Sequence, residues 1–458
     1  MSHEASHSPS GSDQGSARPV LFDIPTPPEP VPSAGSGTPR VQRPNRHQIR
    51  MLTAPLDALL AEDHQARVVW EYVEGLDLTC LYEAIRAVEG HAGRDPIDPR
   101  ILMALWLYAT LDGVGAARAV DRLCDAHAAY QWICGGVSVN HHTLSDFRTA
   151  HVALLDRLLT RSVAGLMREG LVTMNRVAQD GMRVRANAGT SSFRRGQTLE
   201  RLEEEARQQV EALRKELPDD PGAATRRQRA ARERAKRERL ERIARARREL
   251  AKIQQTKPPD KKDQARASTT DPEARFMKMP DSGMRPAVNV QLATDTDSRI
   301  ITGVEVSNVG SDKGQMGPML DQHRDRYAQP PAEALVDGGF ASREDIDAAS
   351  VAEPPTVVYA PVQKSRKEEG KNCYERQPRD TEAVVRWRQR MATPEAQAIY
   401  KERASTAEWT NAMARNRGMQ QFLVRGLRKI KAVALWFALA ANLVRAATLR
   451  RQVAVAMG

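Results

Sequence analysis

Three acidic residues occupy positions where carboxylates could carry out metal-dependent chemistry. Asp180 falls on the apolar face of a strand predicted over residues 172–185, and Asp337 ends an apolar strand before two glycines. Glu408 lies on a helix that Thr393-Pro394 is expected to open. A carboxylate on a buried face is costly unless positive charge compensates it. Converging carboxylates can hold two divalent cations, which activate the attacking oxygen and stabilise the leaving oxygen at a phosphodiester.

Each acid also has a purely structural interpretation. Asp-Gly is a common turn dipeptide, which would account for Asp180 and Asp337, each followed by glycine. Ser405 and Glu408 have capping-box spacing, so Glu408 could instead begin a second helical segment. The three acids taken together in a basic chain favour a phosphoryl-transfer enzyme that acts on DNA.

Composition limits the classes of protein that fit the chain. Its 458 residues include 69 Lys and Arg against 58 Asp and Glu, a net charge of +11, which predicts a polyanionic partner, most simply nucleic acid. The four cysteines are too scattered for a disulfide framework or a zinc knuckle (Cys80, Cys124, Cys134 and Cys373). The apolar run 432–444 is too short to span a membrane and predicts a core helix. With no apolar leader segment, we expect a cytoplasmic protein that associates with the nucleoid when bound to DNA.

The pattern of apolar residues predicts an α/β protein in several parts. Residues 1–45 are rich in Ser, Gly and Pro and should be disordered. Residues 46–170 predict an all-α N-terminal domain, a candidate for DNA binding. Residues 171–447 predict one mixed sheet, because strand and helix signals alternate there and helices follow. Residues 448–458 would form a C-terminal tail.

A charged insertion at residues 196–265 interrupts the strand signals. Two helices are predicted at 199–217 and 226–255, and the span 226–252 has 13 Lys or Arg against 4 Asp or Glu. Its apolar residues appear too sparse for a core, so we expect a projecting helical hairpin with a basic second arm. The hairpin either contacts DNA phosphates or serves as a solvated spacer.

Several segments together resemble the DDE transposases of bacterial insertion sequences, in the branch with a helical N-terminal domain and an RNase H-like catalytic domain. The resemblance runs from about residue 46 to residue 447. The segments that carry it are Pro96–Arg100, Thr143–Arg148, Val177–Gly181, Asp271–Lys278, Val288–Gln291, Val336–Gly339, Tyr400–Glu408 and Arg417–Phe422.

The resemblance implies an RNase H-like mixed sheet with a helical hairpin insertion, preceded by the all-α domain. It implies that Asp180, Asp337 and Glu408 are the catalytic residues and hold two Mg²⁺ ions, with Mn²⁺ as the alternative. The implied DNA-phosphate contacts are Tyr400, Arg403, Arg415, Arg183 and Arg185.

A related signature reads Tyr-x2-Arg-x3-Glu-x6-Lys. In this chain the gap between Arg403 and Glu408 is one residue longer, and Arg415 replaces the Lys. Glu402 is therefore the nearest alternative to Glu408 as the third acid.

The implied activity is cleavage of double-stranded DNA at terminal inverted repeats, followed by joining of the freed 3′-hydroxyl ends to target DNA. A homodimer is expected, because two ends must be held together, and no membrane partner is expected. Two other functions remain open on the same scaffold: a non-catalytic DNA-binding regulator, and a metal-dependent nuclease that cuts without joining.

Overall fold

The computed structural model describes residues 55–85, 95–215, 223–363 and 372–457. The tail expected at 1–45 and the turn between the two hairpin helices lie outside these ranges. Most of the predicted helices and strands within them are present, with shifted ends.

The N-terminal part is helical. A 3₁₀ turn at Leu56–Leu59 is followed by α1 Gln65–Glu74, α2 Thr79–Tyr82, α3 Pro99–Leu111, α4 Ala117–Ala126, α5 Ala128–Cys134, α6 His141–Ala150 and α7 Val152–Arg168. Asp98 caps α3 by accepting a hydrogen bond from the Arg100 backbone N–H, and a proline follows at the first helical position. Residues of α3 are buried on all sides, so the other helices pack around it.

One mixed sheet follows. Its strands are β1 Arg176–Arg185, β4 Arg275–Lys278, β5 Met284–Asp295, β6 Ile301–Ser307, β7 Glu333–Leu335 and β8 Val357–Tyr359. The order is β4-β5-β1-β7-β8, and β6 pairs with the same edge of β5 as β4 does. The pairs of β5 with β1, β4 and β6 are antiparallel, whereas β1, β7 and β8 are parallel.

Strand β1 is shorter than predicted. It begins at Arg176 rather than at residue 172. Met174 has a φ of 56°, a left-handed conformation that a strand cannot continue through. The apolar side chains of Val172 and Met174 are nevertheless buried, so alternation in the sequence correctly identified burial but not the strand boundary.

The insertion forms two packed helices, α8 Gly196–Lys215 and α9 Ala223–Gln255. The expectation that its apolar residues are too sparse for a core was wrong. Ile243 and Leu250 of α9 pack with Leu199 and Ala206 of α8 in a small separate cluster. Each helix supplies few apolar residues, but the two sets meet. A short sheet of β2 Phe193–Arg194 and β3 Ala267–Ser268, together with a 3₁₀ turn at Pro259–Gln264, lies at the base of the hairpin.

Helices cover the sheet. They are α10 Met316–Tyr327, α11 Arg343–Val351, α12 Glu382–Met391, α13 Pro394–Arg403, α14 Trp409–Asn416 and α15 Leu427–Met457, and a five-residue π turn, Ala404–Glu408, joins α13 to α14. Helix α15 packs on α3, α7 and β6, and one apolar core runs through these elements.

Helix α15 is also long and apolar enough to cross a membrane by length and composition, over Leu427–Ala456. However, 67% of its most apolar window is buried inside the protein. This burial agrees with the core helix predicted from the run 432–444.

Candidate active site

Asp180 and Asp337 occupy equivalent positions on neighbouring parallel strands. The last backbone pair between β1 and β7 joins Ala178 to Leu335, and each aspartate comes two residues after its member of that pair. Since side chains two residues apart along a strand share a face, both carboxylates project on the same side where the strands diverge. Ligand sites of open α/β sheets lie at such carboxyl ends of parallel strands.

The guanidinium group of Arg403, at the end of α13, connects the two carboxylates. Its Nη2 lies 3.1 Å from Oδ1 of Asp180 and 3.9 Å from Oδ2 of Asp337. On the opposite side, Asn411 Nδ2 donates to Asp180 Oδ2 at 2.9 Å. The side chain of Asp180 is 17% exposed and that of Asp337 is 39% exposed, so both carboxylates are partly accessible to solvent.

The two aspartates differ in backbone setting. Asp180 lies in the middle of β1, paired with Leu292 of β5, so the turn interpretation does not apply to it. Asp337 does begin a turn, because its Oδ1 accepts a hydrogen bond of 2.7 Å from the Gly339 N–H. That bond orients the Asp337 carboxylate at the strand end.

Burial disfavours the charged form of the Asp180 carboxylate. Desolvation raises the pKa of Asp180, and the charges of Asp337 and Asp312 raise it further, while Arg403 lowers it. Burial also raises the pKa of Tyr400, which lies close enough to Arg403, Asp337 and Asp180 to be influenced by all three charges. The positive charge of Arg403 therefore offsets only part of the increase in the Asp180 pKa.

Glu408 ends the π turn, and its side chain is exposed. It does not cap a new helical segment, since it makes no capping hydrogen bond and the chain is helical on both sides of it. The π turn is wider than an α turn by one residue, which accommodates the extra residue between Arg403 and Glu408. Within the described ranges, the Glu408 carboxylate has no ion pair.

Glu402, the alternative third acid, is engaged elsewhere. Its Oε2 lies 2.6 Å from Arg176 Nη1, and the same arginine lies 2.6 Å from Glu333 Oε2 through its Nε. Arg176 is the first residue of β1, four positions before Asp180. The Glu402 carboxylate is thus directed toward the start of β1 rather than toward Asp180.

The residues expected to contact DNA phosphates are distributed unevenly. Tyr400 and Arg403 lie beside the two aspartates. Arg183 donates through Nη2 to the Gly310 carbonyl oxygen at 2.9 Å. Arg185 is exposed at the end of β1, and Arg415 is exposed in the last turn of α14.

Sequence reasoning missed Asn411 and Asp312. Asn411 is almost fully buried, and its partner is 231 residues away in sequence, so only the fold reveals the contact. Asp312 Oδ1 accepts hydrogen bonds from Asn289 Nδ2 at 2.8 Å and Gln291 Nε2 at 2.9 Å on β5. One signal for Asp312 existed: the glycine at 181, whose lack of a side chain leaves room for that carboxylate.

The donor set suits a hard divalent cation. Two carboxylates converge, and Oδ1 of Asn411 is buried without a hydrogen-bond partner beside them. Oxygen ligands of these kinds are those that Mg²⁺ prefers. Across the part of the chain that the structure describes, however, no three His, Cys, Asp or Glu side chains are grouped closely enough to hold a metal ion.

Comparison with known protein families gives two matches. A transposase domain of the DUF772 type matches residues 54–150, and a transposase DDE domain matches residues 363–447. The second match contains α12 to α14 and therefore Arg403, Glu408 and Asn411. No curated protein and no solved structure gives a significant match.

Proposed function

Because the chain carries an N-terminal transposase domain and a C-terminal DDE transposase domain, we propose that it cuts DNA at terminal inverted repeats and joins the freed 3′-hydroxyl ends to target DNA. The observation that carries this proposal is the position of Arg403, which links two aspartates from distant parts of the chain at one edge of the sheet.

The catalytic part is proposed to be RNase H-like. Three strands that pair antiparallel in chain order, β1, β5 and β6, precede two strands that run parallel to β1 and are reached through helices, β7 and β8. In this arrangement β1 is central and carries Asp180, and the hairpin insertion follows it. That order of strands supports the fold expected from the resemblance.

Asp180, Asp337 and Glu408 would hold two Mg²⁺ or Mn²⁺ ions. When bound, the ions supply activation of the attacking oxygen and stabilisation of the leaving oxygen. Because the Glu408 side chain is exposed, its carboxylate is accessible to a ligand. Glu402 is a weaker third ligand, because Arg176 already compensates its charge.

The other residues of the site would position these acids and the DNA. Asn411 orients the Asp180 carboxylate through its side-chain amide. Arg403 compensates the paired aspartates and would also contact a DNA phosphate, since guanidinium groups bind phosphate oxygens well. The hydroxyl of Tyr400, near Arg403 and the two aspartates, would contact the phosphate backbone.

The hairpin is proposed to bind the DNA flank. Arg242, Arg245 and Arg248 of α9 line a cleft of about 520 Å³ with Arg425 and Lys429 of the main body. Among the residues that the structure describes, none of the three α9 arginines pairs with a carboxylate. Unpaired arginines along a groove fit a phosphate backbone better than a solvated spacer.

We also propose how the protein assembles on DNA and where it acts. Two transposon ends must be brought together, so a homodimer on double-stranded DNA is the simplest complex. The N-terminal helical domain would contribute to DNA binding, and the protein would act in the cytoplasm at the nucleoid.

Incubation of the purified protein with paired terminal-repeat DNA, a target plasmid and Mg²⁺ tests the function. The proposal expects joined product. Cutting without joining would identify a nuclease, and binding without cutting would identify a regulator. Full activity of Asp180→Ala would overturn the assignment of the first acid.

A further inference from the structure

A second cavity lies directly beside Asp337. Its volume is about 380 Å³, and it begins at the two glycines that follow this aspartate. The lining residues that matter here are Lys313, Gly338, Gly339, Arg343, Trp387 and Arg388. A ligand in this cavity would therefore be a neighbour of any group held at Asp180 and Asp337.

The loop that supplies Lys313 is fastened at two points. Asp312 is held by the amide groups of Asn289 and Gln291 on β5. Two residues later, the Gly314 N–H donates to Asp345 Oδ2 in the first turn of α11 at 3.1 Å. Lys313 lies between these anchors with an exposed side chain, so its ammonium group is kept at the cavity.

Positive charge dominates the side chains that face the cavity. Arg343 and Arg388 share one buried carboxylate, that of Asp380, at 2.9 and 2.7 Å. Two guanidinium groups are thus compensated by a single negative charge. Lys313 adds a third positive charge and has no ion pair within the described ranges.

The hydrogen-bond donors at the cavity favour a ligand with an anionic oxygen. Trp387 is 6% exposed, and its Nε1–H has no acceptor in the described part of the chain. A buried N–H without an acceptor is costly, and a ligand oxygen would remove that cost. The first turn of α11 also faces the cavity, and the N-terminal end of a helix favours anions.

An anionic group of the chain itself already lies at this helix end. The pKa of the Glu344 carboxyl is lowered by hydrogen bonds from its own backbone N–H and from Ser342, and by the charge of Lys313. Glu344 is fully exposed, so its side chain can leave when a stronger anion arrives. It therefore acts as a weak internal competitor for the position.

We propose that this cavity binds a phosphate of the DNA strand next to the phosphodiester held at Asp180 and Asp337. The inference rests on the proposed function, because it makes the cavity part of the same DNA-binding site as Asp180 and Asp337. Lys313, Arg343 and Trp387 would contact the phosphate, while Asp312 positions Lys313. Free inorganic phosphate has the same chemistry and is the other source to be distinguished.

The test measures binding of full-length protein to a terminal-repeat duplex without divalent cations, so that no cleavage is needed. We expect Lys313→Gln to weaken binding several-fold and to reduce the slope of log K against log salt by about one. Glu344→Gln should strengthen binding, because it removes the competitor. Trp387→Phe, which keeps an aromatic side chain and loses the N–H, should weaken it.

A matched control and a modified DNA sharpen the result. Arg376→Gln removes a positive charge from an exposed ion pair with Glu382 and should leave binding unchanged. A duplex with a neutral methylphosphonate at the flanking phosphate should bind wild type and Lys313→Gln equally. If inorganic phosphate alone stabilised wild type against unfolding, and wild type bound the unmodified and methylphosphonate duplexes equally, the DNA assignment would be overturned.

Failure of this inference differs from failure of the proposed function. Unchanged affinity and salt slope in Lys313→Gln, with normal cleavage by wild type, would overturn the subsite alone. Predicted changes in binding with no cleavage by wild type would support the subsite and overturn the strand-transfer activity. Absence of DNA binding by wild type would overturn both.

Discussion

Asp180 and Asp337 each lie two residues beyond the last pairing between β1 and β7, and one guanidinium group lies within 3.9 Å of both carboxylates. The shared register of two parallel strands thus places both acids on the same side of the sheet. A cationic group between them is required by this arrangement, since two nearby carboxylates repel each other. Arg403 provides that charge from the protein.

Replacing Arg403 by Gln should reveal a role for divalent cations in compensating the same charge. We expect the free energy of unfolding to fall by roughly 2 kcal/mol without metal, because a partly buried ion pair loses its positive member. Mg²⁺ should then raise the melting temperature of Arg403→Gln more than that of wild type. Arg403→Lys, which keeps the charge, is the control; equal Mg²⁺ effects on all three proteins would argue against the proposal.

The identity of the third acid can be decided by a matched pair of variants. Glu408→Gln should reduce Mg²⁺-dependent cleavage by more than about 100-fold without changing the melting temperature, because Glu408 is exposed and unpaired in the described residues. Glu402→Gln should retain cleavage and lose a little stability, because it breaks the ion pair with Arg176. The reverse pattern in cleavage rates would assign Glu402 instead.

Gly181 is predicted to be irreplaceable even by alanine. A Cβ there would clash with the Asp312 carboxylate and lie 2.5 Å from Gln291 Nε2. We expect Gly181→Ala to cost about 1–3 kcal/mol of stability and to reduce cleavage, because β1 must shift next to Asp180. Gly317→Ala in α10 has open space around it and should be neutral or stabilising. A Gly181→Ala protein with wild-type stability and activity would contradict the packing argument.

His323 should make the protein sensitive to mild acid. Its ring is fully buried, with Nδ1 2.7 Å from the Met319 carbonyl oxygen and Nε2 2.9 Å from Thr302 Oγ1. Because the carbonyl can only accept, Nδ1 carries the hydrogen and Nε2 accepts from the Thr302 hydroxyl. Burial lowers the pKa of His323 from 6.5 to about 4.

The direction of the pH effect follows from proton uptake by the unfolded chain. Between pH 6.5 and pH 4 the unfolded histidine binds a proton that the folded one does not, so stability falls as pH is lowered through this window, by roughly 3 kcal/mol. His323→Gln retains one donor and one acceptor and does not titrate. Urea unfolding at several pH values should show a smaller decline for His323→Gln; identical declines would refute the role of this histidine.

The basic hairpin should contribute to the salt dependence of DNA binding through one face of α9. Replacing Arg242, Arg245 and Arg248 by Gln should reduce the slope of log K against log salt by about three. Arg247→Gln is a matched control on the same helix, because Arg247 lies 2.6 Å from Glu203 of α8. Deletion of residues 200–260 should have an effect at least as large as the triple variant. An unchanged slope in both would leave the hairpin as a spacer.

Much of the sheet was predictable because alternation of apolar residues is a local signal. The hairpin of β5 and β6 and the strand before Asp337 lie where the pattern placed them. The strand β4 was not predicted as a strand, because it has four residues and mostly exposed or half-exposed side chains. It pairs with β5 from Arg275–Ala287 to Lys278–Met284, and no periodic pattern in the sequence specifies that register.

The proximity of Asp180 and Asp337 could be predicted from the sequence, but the side chains that contact them could not. Asp180 and Asp337 could be singled out from apolar strands that end in glycine. The contacts of Asn411 with Asp180 and of Asp312 with Asn289 join residues far apart in sequence, and no local pattern encodes them. The π turn before Glu408 was also unpredictable, since a single extra residue gives no period of its own.

The most direct test of the account is to map where a divalent ion binds. Fe²⁺ in place of Mg²⁺, with ascorbate and peroxide, generates hydroxyl radicals that cut the polypeptide next to the bound ion. Cuts near both Asp180 and Asp337 are expected, suppressed by excess Mg²⁺ and lost in Asp180→Asn. Cuts confined to other segments, or cuts that persist in Asp180→Asn, would contradict a shared metal site.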